Sequence, residues 1–194
     1  MHHRWQISGV GRKTHCREGK RVKMTTIEAK HTGLTSRTRH GRAMNAVAEF
    51  FRSKLSVPNI YFDPKPATQQ IDLLAVDRAG SGDLHGAEIK IPNNFVSSLP
   101  TLQAYVARLK AWPAHYRYLA LPSTPKLVAL LPRLQLFSSD GIGRVGILLL
   151  SEPESGLPRV ELAIQPERYR VPAAAMQKID KFLANARPDI ETRI

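Results

Sequence analysis

The chain has 194 residues, with 29 Lys or Arg against 16 Asp or Glu, a net charge of +13 and one cysteine. That length suits one domain able to bury a full core without disulfides or structural metals, and the lone Cys16 excludes an intramolecular disulfide. The apolar runs fall far short of the roughly 18 residues that span a bilayer, and no secretory apolar stretch opens the chain, so a soluble cytoplasmic protein with no membrane partner is expected.

Residues 1–43 hold 11 Lys or Arg against 2 acids, whereas the other 151 hold 18 against 14. The basic excess therefore lies mainly at the N-terminus. Little hydrophobic periodicity is visible in the first 23 residues, and residues 1–37 are predicted to form a flexible arm preceding a single domain over 38–194. An arm of this sign neutralises phosphates and releases counterions, giving salt-dependent and largely sequence-independent binding to nucleic acid. His2, His3, His15, His31 and His40 are scattered, and His85 and His115 stand alone, so no zinc-ligand spacing arises.

Ala43, Met44, Val47, Phe50, Phe51 and Leu55 recur at nearly helical spacing and predict an amphipathic helix over 38–55. A short strand over 59–62 follows, ended by Pro64 and Pro66. Residues 71–77 and 86–91 are rich in Ile, Leu, Val and Ala, and the Gly, Ser and Asp between them predict a β-hairpin turning near Gly80. Asn93 and Asn94 can cap a helix running to about 112, where Pro113 stops it. Residues 116–121 form a strand candidate. Pro125 suits the first position of a short helix over 127–131. Strands are expected over 146–150 and 159–164, with a turn between them at 152–156. A last helix over 173–186 carries Met176, Ile179, Phe182 and Leu183 on one stripe, as a core-packing face would. The order is helix, three strands, helix, strand: an α/β chain with an αβββαβ core.

The hairpin carries the chemistry. A turn near Gly80 sets Asp72 opposite Glu88, and the two-residue period of a strand sends Lys90 to the face of Glu88. Two carboxylates facing each other across a ladder repel, and burying an unpaired one costs several kcal/mol or forces it to take a proton. A hard divalent cation, which prefers oxygen ligands, would remove that cost. Two rival acids are placed elsewhere by the same logic: Asp77 on the opposite strand face and Asp83 in the turn.

Asp72, fifteen intervening residues, then Glu88-Ile89-Lys90 resembles the D…(D/E)xK signature of the PD-(D/E)XK, or restriction-endonuclease-like, nuclease superfamily. One departure is Ile71, where that family often has proline. The resemblance implies a restriction-endonuclease-like core with a mixed central sheet flanked by helices, and a Mg²⁺-dependent nuclease, with Mn²⁺ as substitute, that hydrolyses DNA in repair, recombination or restriction. It implies Asp72 and Glu88 as metal ligands and Lys90 as the catalytic cation, with Glu49 of the first helix as a further ligand in some members. Gln103 and Tyr105 fall where certain subfamilies place a Gln and a Tyr, but at closer spacing, and read as surface and packing residues. Residues 112–122 and 141–149 are also similar to the downstream half of compact bacterial MmcB-type DNA repair proteins, a likeness spanning roughly residues 40 to 150. A homodimer would let two such sites cut two strands. The competing expectation is a catalytically inactive nuclease-like module that binds DNA as an accessory.

Overall fold

Six strands pair into one sheet in the order in which the chain makes them: β1 (Asn59–Phe62), β2 (Leu73–Val76), β3 (Leu84–Ile89), β4 (Tyr116–Pro122), β5 (Gly146–Ser151) and β6 (Arg159–Ile164). The computed structural model describes residues 38–65, 70–78, 82–91, 98–138, 144–152 and 157–188. The expected basic arm, the hairpin tip at 79–81, Asn93, Asn94, 141–143 and most of the turn at 152–156 lie outside the described residues. β1–β2 and β2–β3 are antiparallel, β3–β4 and β4–β5 are parallel, and β5–β6 is antiparallel again. Parallel neighbours need a crossover, and α2 (Leu99–Lys110) and α3 (Pro125–Ser138) supply the two. The protein is thus a mixed α/β fold, with four helices flanking a six-stranded mixed sheet.

The pleat divides the core in two. Leu73, Ala75, Ala87, Ile89, Tyr118, Ala120, Leu148 and Leu150 point to one face, where Met44, Val47, Ala48 and Phe51 of α1 (Arg39–Lys54) cover them. Leu74, Leu84, Leu119, Leu121, Ile147 and Leu149 point to the other, under Leu102, Val106 and Leu109 of α2, Leu127 and Leu134 of α3, and Ile179 of α4 (Ala173–Asn185). β2 and β3 are buried on both faces, which is why they read as continuous apolar runs. Gly86 in β3 is closely covered: a Cβ there would sit 2.9 Å from Ile71 Cδ1 and 3.1 Å from the Trp112 ring, both buried, so a side chain would force its neighbours to shift.

Local chemistry fixes the helix starts. Thr38 Oγ1 accepts from the Gly41 N–H at 3.0 Å, Ser98 Oγ from Thr101, and Thr124 Oγ1 from Leu127 at 3.2 Å with Pro125 at the first helical position. Two expectations are corrected. The cap of α2 is Ser98 rather than Asn93 or Asn94, so that helix starts later than its sequence suggests. α3 runs on to Ser138 rather than stopping near Leu131, although Pro132 lies inside it. Pro132 is exposed, and buried Leu127 and Leu134 anchor the helix on either side of it. Packing of both halves therefore outweighs the roughly 3 kcal/mol that an interior proline costs.

Candidate active site: a charged cleft at the open end of the hairpin

The register that pairs Leu73 with Ala87 extends by one residue to set Asp72 opposite Glu88, on the α2 side of the sheet. Asp72 precedes β2, and its Oδ2 accepts the Ile89 N–H at 2.6 Å, so the carboxylate closes the ladder where the backbone leaves off. Glu88 lies within β3 and is only 4% exposed. Its Oε1 accepts from Lys90 Nζ at 2.6 Å and from Arg108 Nη2 at 2.6 Å. A buried carboxylate with two charge-assisted bonds is compensated, which meets the demand that the apolar strand imposes. Lys90 follows β3, and its N–H donates to Ala120 O at 2.9 Å, so β4 holds the backbone under the ammonium.

α2 supplies the far wall. Tyr105 and Arg108 are three residues apart and share a helix face; the Lys90 ammonium lies 4.9 Å from the centre of the Tyr105 ring, within cation–π range. From the α1 side, His40 Nε2 stands 3.6 Å from Asp72 Oδ1. The neighbouring Asp72 carboxylate raises the His40 pKa above its ordinary value against the opposing effect of burial, with Asp63 contributing in the same direction. Gln70, Asp72, Glu88 and Arg108 line an open cleft of about 510 Å³ here.

Asp72, Glu88 and Lys90, singled out from the hairpin spacing, therefore meet in one place. Glu49 does not join them: it is exposed on α1, nine residues beyond His40, which is the α1 residue that reaches Asp72. Nine residues turn a helix by two and a half turns, to its opposite side. No group of three His, Cys, Asp or Glu able to hold a metal occurs among the described residues. Sequence reasoning passed over His40 and Arg108 and gave Tyr105 only a packing role. The one available signal was that a glutamate in so apolar a strand needs cations, and Tyr105 and Arg108 present a ring and a guanidinium at i, i+3 on the next helix.

The rival acids are occupied at the other end of β3. Asp83 is buried, and its Oδ1 accepts from Arg168 Nε and Nη2 at 3.1 and 2.9 Å. His115 Nδ1 lies 3.3 Å from the same oxygen but accepts the Leu84 N–H at 2.9 Å. An accepting Nδ1 carries no proton, and burial lowers the His115 pKa, so this contact is not an ion pair. The Asp77 N–H donates to Asp83 O at 3.0 Å, which puts Asp77 at the turn end, remote along the strands from Asp72.

Two acids and Arg108 line the cleft, with Lys90 bonded to Glu88 and His40, its pKa raised, beside Asp72. The site can bind a cation through the acids and an anion through the Lys, Arg and His. Among the described residues, no helix is long and apolar enough to cross a membrane. No protein-family model and no curated protein matches the chain. Among solved structures, the chain is similar to a protein of unknown function from Silicibacter pomeroyi, at 16% identity and a TM-score of 0.49, covering 76% of this chain and 85% of that one.

Proposed function

We propose that the protein is a metal-dependent nuclease of the restriction-endonuclease-like kind, hydrolysing DNA phosphodiester bonds in the cytoplasm, with repair, recombination or restriction as its setting. The observation that carries this reading is the convergence of Asp72, Glu88 and Lys90, with the two acids opposite each other on the wall of one open cleft and the ammonium 2.6 Å from one of them. The element order αβββαβ and the mixed sheet are what such a nuclease core requires, and they add support.

The donor set fits Mg²⁺, which is commonly held by one or two carboxylates and otherwise by water and substrate phosphates. Asp72 and Glu88 would be the protein ligands, helped by a backbone carbonyl of the β3 strand. A bound Mg²⁺ or Mn²⁺ supplies Lewis-acid polarisation of the scissile phosphate and a water of lowered pKa. The rest falls to the chain. The Lys90 ammonium, steadied by Tyr105, faces the negative charge that grows on the phosphate as the attacking oxygen adds, and a fixed charge there needs no reorganisation during the reaction. His40 supplies positive charge beside Asp72, and the Ile89 N–H fixes the Asp72 carboxylate.

Purified protein with Mg²⁺ or Mn²⁺ should nick DNA, and Lys90→Ala should abolish the nicking in protein that circular dichroism shows to be folded at the assay temperature. Cleavage by Lys90→Ala at the wild-type rate would remove this site from the reaction. DNA binding without cleavage, and without calorimetric uptake of a divalent ion, would instead favour the non-catalytic accessory module.

A further inference from the structure

Glu88 Oε1 holds two cations of different character. Lys90 has a side chain only 19% exposed and is kept over Tyr105, whereas the Arg108 side chain is 50% exposed and reaches in from the last turn of α2. Asp72 and Glu88 together carry two negative charges, which Lys90 and Arg108 match before His40 is counted. A divalent cation at the acids would overcharge this cluster and repel its nearest cations. Lys90 is held by its surroundings, while Arg108 has solvent beside it and room to withdraw into the cleft it lines. A guanidinium displaced from a carboxylate has a planar fork that matches a phosphate oxygen pair.

We propose that Arg108 is an exchangeable counter-cation: it occupies Glu88 in the metal-free protein, yields that oxygen to a divalent cation, and transfers its fork to a phosphate of the bound polynucleotide. This rests on the metal-dependent reading of the cleft and adds the order of events to it. The arginine competes with the metal when DNA is absent and assists it when DNA is present. Metal and DNA therefore strengthen each other's binding by a common factor, because each favours the released arginine.

The test uses the full chain and two probes, Mn²⁺ alone by calorimetry and a phosphorothioate-linked duplex by fluorescence anisotropy with and without Mn²⁺. In the wild type, Mn²⁺ should tighten duplex binding roughly tenfold. Arg108→Gln should bind Mn²⁺ alone several-fold more tightly and lose most of that coupling. Arg108→Lys should keep the wild-type Mn²⁺ affinity, since it still competes for Glu88, yet show reduced coupling, since an ammonium lacks the fork. Unchanged Mn²⁺ affinity in Arg108→Gln, or undiminished coupling, would overturn the proposal. If Mn²⁺ still bound in that case and Asp72→Asn abolished its binding, the metal-dependent reading would survive. Absence of Mn²⁺ binding in both wild type and Arg108→Gln would end both.

Discussion

The two ends of β3 each hold an acid, an arginine and a histidine, and they differ in what surrounds them. At the Asp83 end, Arg168 belongs to the segment between β6 and α4, and that segment is strapped down along its length. Tyr169 N–H donates to His115 O at 2.7 Å, Glu167 N–H donates to Arg144 O at 2.9 Å, and Arg117 lies 3.8 Å from the centre of the Tyr169 ring. Arg144 and Glu167 also pair through their side chains, and Arg117 Nη1 donates to Lys110 O. At the Glu88 end, the acids and the arginine line an open cleft instead, with His40 beside Asp72. Charge composition alone therefore does not distinguish the two ends. The difference lies in what carries the arginine: Arg168 sits on a segment whose backbone is bonded on both sides of it, whereas Arg108 stands on α2 and lines a cleft together with the acid it pairs with.

The sharpest way to break this comparison is to neutralise one acid at each end. Asp72→Asn keeps an acceptor for the Ile89 N–H but removes the charge, and should lower Mg²⁺-dependent cleavage by about 10²- to 10³-fold with little change in melting temperature. Asp83→Ala should do the reverse, lowering the thermal midpoint by several degrees while the surviving folded protein cleaves at the wild-type rate. Equal losses of activity from the two variants would erase the distinction.

The histidines give the next largest effect, with opposite signs at the two ends. His85, on the α1 face at the Asp83 end, stacks on Tyr116 at 4.8 Å, and its burial lowers its pKa from 6.5 to about 4. The unfolded chain takes up a proton below pH 6.5 that the folded one refuses until about pH 4. Stability should thus fall as the pH drops through that window, by about 3 kcal/mol in all. In His85→Phe, denaturant titrations at pH 4 and 7 should show this component gone. His40, at the cleft, has a raised pKa, so its favourable contribution is complete below 6.5 and is lost as pH rises through the folded value. His40→Ala should remove that alkaline loss.

Two smaller effects sharpen the picture of the framework. Gly86→Ala should destabilise by about 1–3 kcal/mol in urea unfolding, since its Cβ would overpack Ile71 and Trp112. Glu49→Gln should leave both cleavage and stability unchanged, within about 0.5 kcal/mol for the latter, because Glu49 is an exposed residue away from the cleft. A loss of metal affinity in Glu49→Gln would restore it to the site.

The strands were legible because their signals are local. β1 ends ahead of Pro64 and Pro66 and β6 covers the expected 159–164, and the hairpin register that opposes Asp72 to Glu88 follows from strand periodicity and a turn position alone. Helix α3 was not legible beyond Pro132, because the energy that carries it past a proline comes from Leu127 and Leu134 meeting a core assembled from distant segments. The start of α2 was missed for a related reason: several polar residues precede it that can cap a helix, and the structure uses Ser98.

By itself, the sequence determined the order of elements and the pair of acids with their lysine, since strand period and burial cost act between near neighbours in the chain. Only the tertiary structure decided which cations those acids meet. His40 lies 32 residues before Asp72 and Arg108 lies 20 residues after Glu88. Their approach depends on how α1 and α2 pack on opposite faces of the sheet, and ion pairing between remote side chains leaves no periodic trace in a chain with 29 Lys or Arg to choose from.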